Sequence, residues 1–141
     1  MNTVILSFLL SVSPIERQAV RYALSAVESG GDDKARGQSG ERSRYQILPR
    51  EWARHTILRS YTDEHQAWNV ATEIINERVP AFRNAMRRDP SHAELYALWH
   101  RNGKFAKVGY QVWKLSRLEQ ERCAKFQNIV ESKIKELKGA K

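Results

Sequence analysis

One short stretch constrains this chain more than any other, because it carries a complete set of helix boundary signals. Ser13-Pro14-Ile15-Glu16 reads as a helix start. Ser13 is the N-cap, Pro14 takes the first helical position, and Glu16 stands three residues after the cap as in a capping box. Ile15, Ala19, Tyr22, Ala23 and Ala26 then recur at helical spacing and predict one apolar face. Gly30-Gly31 supplies a left-handed stop. Glu28 therefore falls in the last turn, where the negative end of the helix dipole disfavours a carboxylate. Burial there would raise its pKa further without any partner charge. On helix logic alone Glu28 is either such a perturbed acid or the solvated end of a helix.

The rest of the chain sets the context. Its 141 residues, 41% hydrophobic with four Trp, five Tyr and four Phe, suit one globular domain with a real core. A formal charge of +8 implies attraction to a polyanion, whether nucleic acid, anionic membrane or cell-wall polymer. The single cysteine, Cys123, excludes an internal disulfide and a cysteine-based zinc site. Residues 1–12 are apolar but too short to span a bilayer, and they lack a basic leader region. Residues 1–13 are thus a truncated signal or a packed N-terminal arm, 14–138 the domain, and 139–141 a frayed tail.

A polar loop runs from Gly31 to Arg44 and suits the rim of a binding site. Pro49 opens a second helix to about Ser60, with Trp52, Ala53 and Ile57 inward. Thr62 or Asp63 caps a third, in which Pro80 forces a kink or break. Ala81 to Arg88 is helical again, with Arg83, Arg87 and Arg88 on a basic face. Ser91 with Glu94 is a capping box, opening a helix through Trp99 that Asn102-Gly103 stops. Ser116 with Glu119 is another, opening a long helix striped by Leu118, Phe126, Val130, Ile134 and Leu137. No alternating strand, repeat or low-complexity tract is present. The expected fold is mainly α with little or no β: a compact helical domain with a cleft.

Glu28-Ser29-Gly30-Gly31, the loop containing Gly40, and Tyr45-Gln46-Ile47-Leu48-Pro49 together resemble the first two motifs of lytic transglycosylases and goose-type lysozymes. Asn69-Val70-Ala71 is similar to the start of that family's next helix. Leu98 to Gly103 is similar in place to its Ala-Tyr-Asn-Ala-Gly motif, and Glu121-Arg122 through Val130 to its closing segment. Two departures stand out. Ser43-Arg44-Tyr45 replaces Gly-Leu-Met, and Phe126 stands where the closing segment carries a Tyr, a hydroxyl that Tyr96 or Tyr110 could supply.

The resemblance implies a lysozyme-like domain that cleaves the β-1,4 link between N-acetylmuramic acid and N-acetylglucosamine in peptidoglycan. It implies no cofactor, a periplasmic or extracellular location, and action as a monomer. Glu28 is then the general acid and later the base, and a 1,6-anhydro product is favoured. Ser29, Tyr45, Gln46, Trp99, Asn102 and Tyr110 are the expected substrate contacts. Hydrolysis with inversion would need a second carboxylate; Asp32 and Asp33 are the candidates, with Glu41 and Glu51 behind them. Trp52, Trp68 and Trp113 are assigned to the core. The four histidines show no metal-ligand clustering in the sequence, so no metal is expected. Two rivals remain. One is a non-catalytic peptidoglycan-binding descendant. The other is a basic helical nucleic-acid binder, for which no recognition motif is present.

Overall fold

The computed structural model describes residues 8–139. The readings of residues 1–7 and 140–141 lie outside those described. The fold is mainly α, and the only β pairings among the described residues are isolated bridges, Arg36 with Arg42 and Arg42 with Ile47. No helix among them is long and apolar enough to cross a membrane. The elements are α1 (Phe8–Ser11), α2 (Pro14–Ser29), α3 (Pro49–Ala53), α4 (Glu64–Met86), α5 (His92–Lys107), a 3₁₀ turn (Val112–Lys114) and α6 (Arg117–Gly139).

α2 begins and ends where its caps require. Ser13 Oγ accepts from the Glu16 amide at 3.1 Å, and Gly30 closes the helix with φ of 68°. The capping box is only half made, because the Glu16 carboxylate lies 2.8 Å from His92 Nε2 instead. The buried face is Ala19, Val20, Ala23 and Leu24, turned from the expected stripe. Tyr22 is half exposed, and Lys133 Nζ sits 4.3 Å over its ring.

α3 is shorter than the helix expected to reach Ser60. After Ala53 the chain wraps the buried Trp52, whose indole N–H donates to Leu58 O at 2.7 Å while Tyr61 packs edge-on at 4.8 Å. A helix through Ser60 could not make that turn. Ile57, expected inward, is 96% exposed as a result.

α4 starts at Asp63, whose carboxylate caps Gln66 N at 2.9 Å, and it runs through Pro80 without breaking. Pro80 faces solvent, while Val79 and Phe82 on either side are fully buried. Burying two such side chains is worth roughly 1.5–3 kcal/mol each, enough to offset the ~3 kcal/mol an internal proline costs. The basic face after it is largely spoken for: Arg83 bonds Asp89 at 2.5 Å, and Arg88 makes a fork to Glu94 at 2.7 and 2.8 Å.

α5 carries the full Ser91–Glu94 capping box but does not stop at Asn102-Gly103. It bends at Arg101 (φ −141°, ψ 50°) and continues to Lys107. In α6 the buried stripe is Glu119, Cys123, Phe126 and Val130, and Leu118 is 67% exposed. Trp113, expected in the core, is 68% exposed on the 3₁₀ turn. α6 packs along α2 and α5, and α5 also packs on α4. This arrangement brings the C-terminal end of α2, the middle of α5 and the start of α6 together.

Candidate active site

Glu28 lies at that junction. Its side chain is 8% exposed and forms part of a cleft of about 880 Å³. Tyr96 of α5 donates its hydroxyl to Glu28 Oε1 at 2.5 Å, and Arg122 of α6 stands 3.6 Å from the same oxygen. Arg122 Nε also donates to the Tyr96 oxygen at 3.1 Å, so the three groups form one chain. Burial raises the Glu28 pKa above the ordinary carboxylate value and outweighs Tyr96 and Arg122, which favour the ionised form; nearby Glu41 adds to the rise. The arrangement makes Glu28 a weaker acid than a free carboxyl while giving its carboxylate two partners, as an acid–base group needs.

Gln46, Trp99 and Asn102 line the same cleft, as expected from the motifs. Gln46 adopts φ of 54°, outside the usual range for its residue type, and its Nε2 donates to Ser43 O at 2.9 Å. Such backbone outliers concentrate at functional sites. A Cβ at Gly37 in the same loop would lie 1.6 Å from Glu41 Oε2 and 2.8 Å from Gln46 Oε1, so a side chain there would displace the ends of both.

Five expected residues are elsewhere. Tyr45 is fully buried, donating to Glu64 Oε1 at 2.9 Å against Trp68, so it is core. Tyr110 packs edge-on against Phe82 and Phe105, at 5.2 and 5.3 Å. Ser29 donates to Arg44 O at 2.7 Å and accepts from Asp32 N at 3.1 Å, which ties the loop to the helix end. Asp32 caps Lys34 N in an Asx turn. Asp33 is forked to Arg44 at 2.6 and 3.0 Å, which holds its pKa below the usual value. Both aspartates are committed to loop structure. The carboxyls that share the cleft with Glu28 are Glu41 and Glu51.

Sequence reasoning assigned no role to several groups found here. Arg122 lies in the closing segment, but nothing in its spacing points to Glu28. His100, one turn after Tyr96, stacks on it at 5.5 Å; burial and the nearby Arg122 push its pKa down to about 4, so it is neutral near pH 7. Arg50, Arg78, Arg101, Lys104 and Arg122 line the cleft against Glu28, Glu41 and Glu51, leaving it cationic. Arg78 donates to Leu98 O and Trp99 O at 3.0 and 2.7 Å, satisfying carbonyls that the bend at Arg101 frees.

No protein-family model matches this chain, nor does any curated protein or solved structure.

Arg122 gives a direct check on the Glu28 environment. Arg122→Gln removes a charge that favours the carboxylate, so the Glu28 pKa is expected to move up. A pH titration of the Glu28 carboxyl carbon by NMR in wild type and variant measures the shift, and an unchanged midpoint would mean that Arg122 does not act on Glu28.

Proposed function

We propose that this chain is a peptidoglycan lytic transglycosylase with a lysozyme-like domain, acting as a monomer in the periplasm or outside the cell. One observation carries the reading: a single buried carboxyl with a raised pKa, Glu28, borders a cleft large enough for several sugar rings. In this reading Glu28 protonates the glycosidic oxygen between N-acetylmuramic acid and N-acetylglucosamine. The Tyr96 hydroxyl and Arg122 stabilise the carboxylate that results. That carboxylate then takes the proton of the muramyl 6-hydroxyl as the oxygen closes on the anomeric carbon, giving the 1,6-anhydro end. Trp99 offers a face for a sugar ring. The surplus of cleft cations suits the carboxylates of the stem peptides.

A second reading rests on Glu41. It shares the cleft with Glu28, as an inverting muramidase requires of a base that activates water. Mass spectrometry of muropeptides released from purified peptidoglycan separates the two. Products one water lighter, with no reducing end, are expected. Reducing-end products would establish the hydrolytic reading, and no release at all would overturn both.

A further inference from the structure

Outside the Glu28 chain, one cluster of side chains with metal-ligating atoms has no part in the proposed reaction. Glu51 and His55 sit one turn apart at the end of α3, and Glu77 of α4 faces them. One ligand atom from each lies within 4.8 Å of the others. His55 Nε2 is 3.8 Å from Glu51 Oε1 and 3.6 Å from Glu77 Oε2. The edge of a tetrahedron with zinc's ~2.0–2.1 Å bonds is about 3.4 Å, so these pairs need close by only a few tenths of an ångström.

The imidazole provides a second, independent observation. Its Nε2 is buried and has no hydrogen-bond partner, although it points between two carboxylates. Its Nδ1 lies 3.0 Å from Glu73 Oε2, an outer carboxylate placed to hold the proton on Nδ1 and leave the Nε2 lone pair facing inward. Metal-bound histidines are oriented in this way. The sequence reading, which saw no clustering of histidines with ligands, missed it because Glu77 comes from another helix.

We propose that Glu51, His55 and Glu77 bind one divalent transition-metal ion of zinc's chemistry and fasten the end of α3 to α4. Imidazole with two carboxylates suits zinc and disfavours magnesium or calcium, which take oxygen ligands. Two arginines face the carboxylates: Arg78, 3.8 Å from Glu51 Oε1, is held on Leu98 O and Trp99 O, so Arg54 is the displaceable competitor. Its guanidinium bonds Glu51 Oε1 at 2.9 Å and also pairs with Glu77, but its side chain is 54% exposed and can swing into solvent. The ion replaces one positive charge with two and also engages the orphaned Nε2. Leu48, Arg50 and Glu51 line the cleft, so the bound ion would stiffen one wall of it.

Calorimetric titration of the full chain with zinc chloride at pH 7 is expected to give one site per chain. His55→Gln should weaken it at least tenfold, and Arg54→Gln should tighten it several-fold. Zinc should raise the thermal midpoint of the wild type and leave that of His55→Gln unmoved. Should His55→Gln fail to fold, imidazole nitrogen resonances of the wild type report on the same point. Zinc should shift those of His55 and spare those of His65, His92 and His100. No stoichiometric zinc binding in the wild type and in Arg54→Gln would overturn the proposal. So would a site whose affinity ignores His55→Gln, or zinc-shifted resonances on the other histidines alone.

Discussion

Glu28→Gln is expected to abolish peptidoglycan turnover, lowering it by about 10³-fold or more, while the protein stays folded. General acid catalysis contributes roughly 10²–10⁴-fold, and here the same group is asked to serve in both halves of the reaction. The fold has little to lose by the change. The Glu28 pKa is raised because burial outweighs the help of Tyr96 and Arg122, so the ionised side chain costs stability where it stands. A glutamine keeps an oxygen for the Tyr96 hydroxyl to donate to, and Arg122 keeps its bond to the Tyr96 oxygen. A thermal midpoint equal to or above that of the wild type should accompany the loss of activity. Turbidity assays on purified peptidoglycan, with a melting curve on the same sample, test both halves. A variant retaining more than about a tenth of wild-type turnover would remove Glu28 from the chemistry.

The limits of the sequence follow from where each signal resides. α2, the caps at Ser13, Asp63, Ser91 and Ser116, and the position of Glu28 were legible because caps and glycine stops act within four residues. The stop of α3 at Ala53 was not, since it depends on where the Trp52 indole finds Leu58 O. Neither was the passage of α4 through Pro80, which burial of Val79 and Phe82 decides. The site divides in the same way. Glu28, Gln46, Trp99 and Asn102, singled out by the order of the motifs, all line one cleft. Tyr45 and Tyr110 were misplaced because an aromatic at helical or loop spacing looks the same in a core as at a sugar site. Asp32 and Asp33 were preferred to Glu41 because they adjoin Glu28 in sequence. The loop's internal bonds turn both aspartates to structural use, and the fold of the loop over Gly37 brings Glu41 round instead.

Glu119 carries the largest expected effect on stability, and its use in the tertiary structure was not visible in its capping box. Its side chain is 8% exposed. Oε1 accepts from Lys104 Nζ at 2.6 Å and from Ser116 N at 3.1 Å, and Arg101 Nε stands 3.1 Å from Oε2. It therefore caps α6 and holds Arg101 and Lys104 of the bent segment of α5, which also line the cleft. Glu119→Ala should cost about 3 kcal/mol, since it strands those partners and removes the cap, and should lower the thermal midpoint by roughly 10 °C. Glu119→Gln keeps an acceptor for Ser116 N and should lose about half as much. Burial opposes ionisation, but Lys104 and the Ser116 bonds prevail and bring the Glu119 pKa down to about 2 from 4.5. Because the folded value is the lower one, the stabilisation is fully present above about pH 4.5 and is lost as pH falls toward 2. The gap in stability between wild type and Glu119→Gln should thus narrow steadily across that interval in urea titrations. A gap of the same size at pH 6 and pH 2.5 would mean that the charge of Glu119 does not hold α5 to α6.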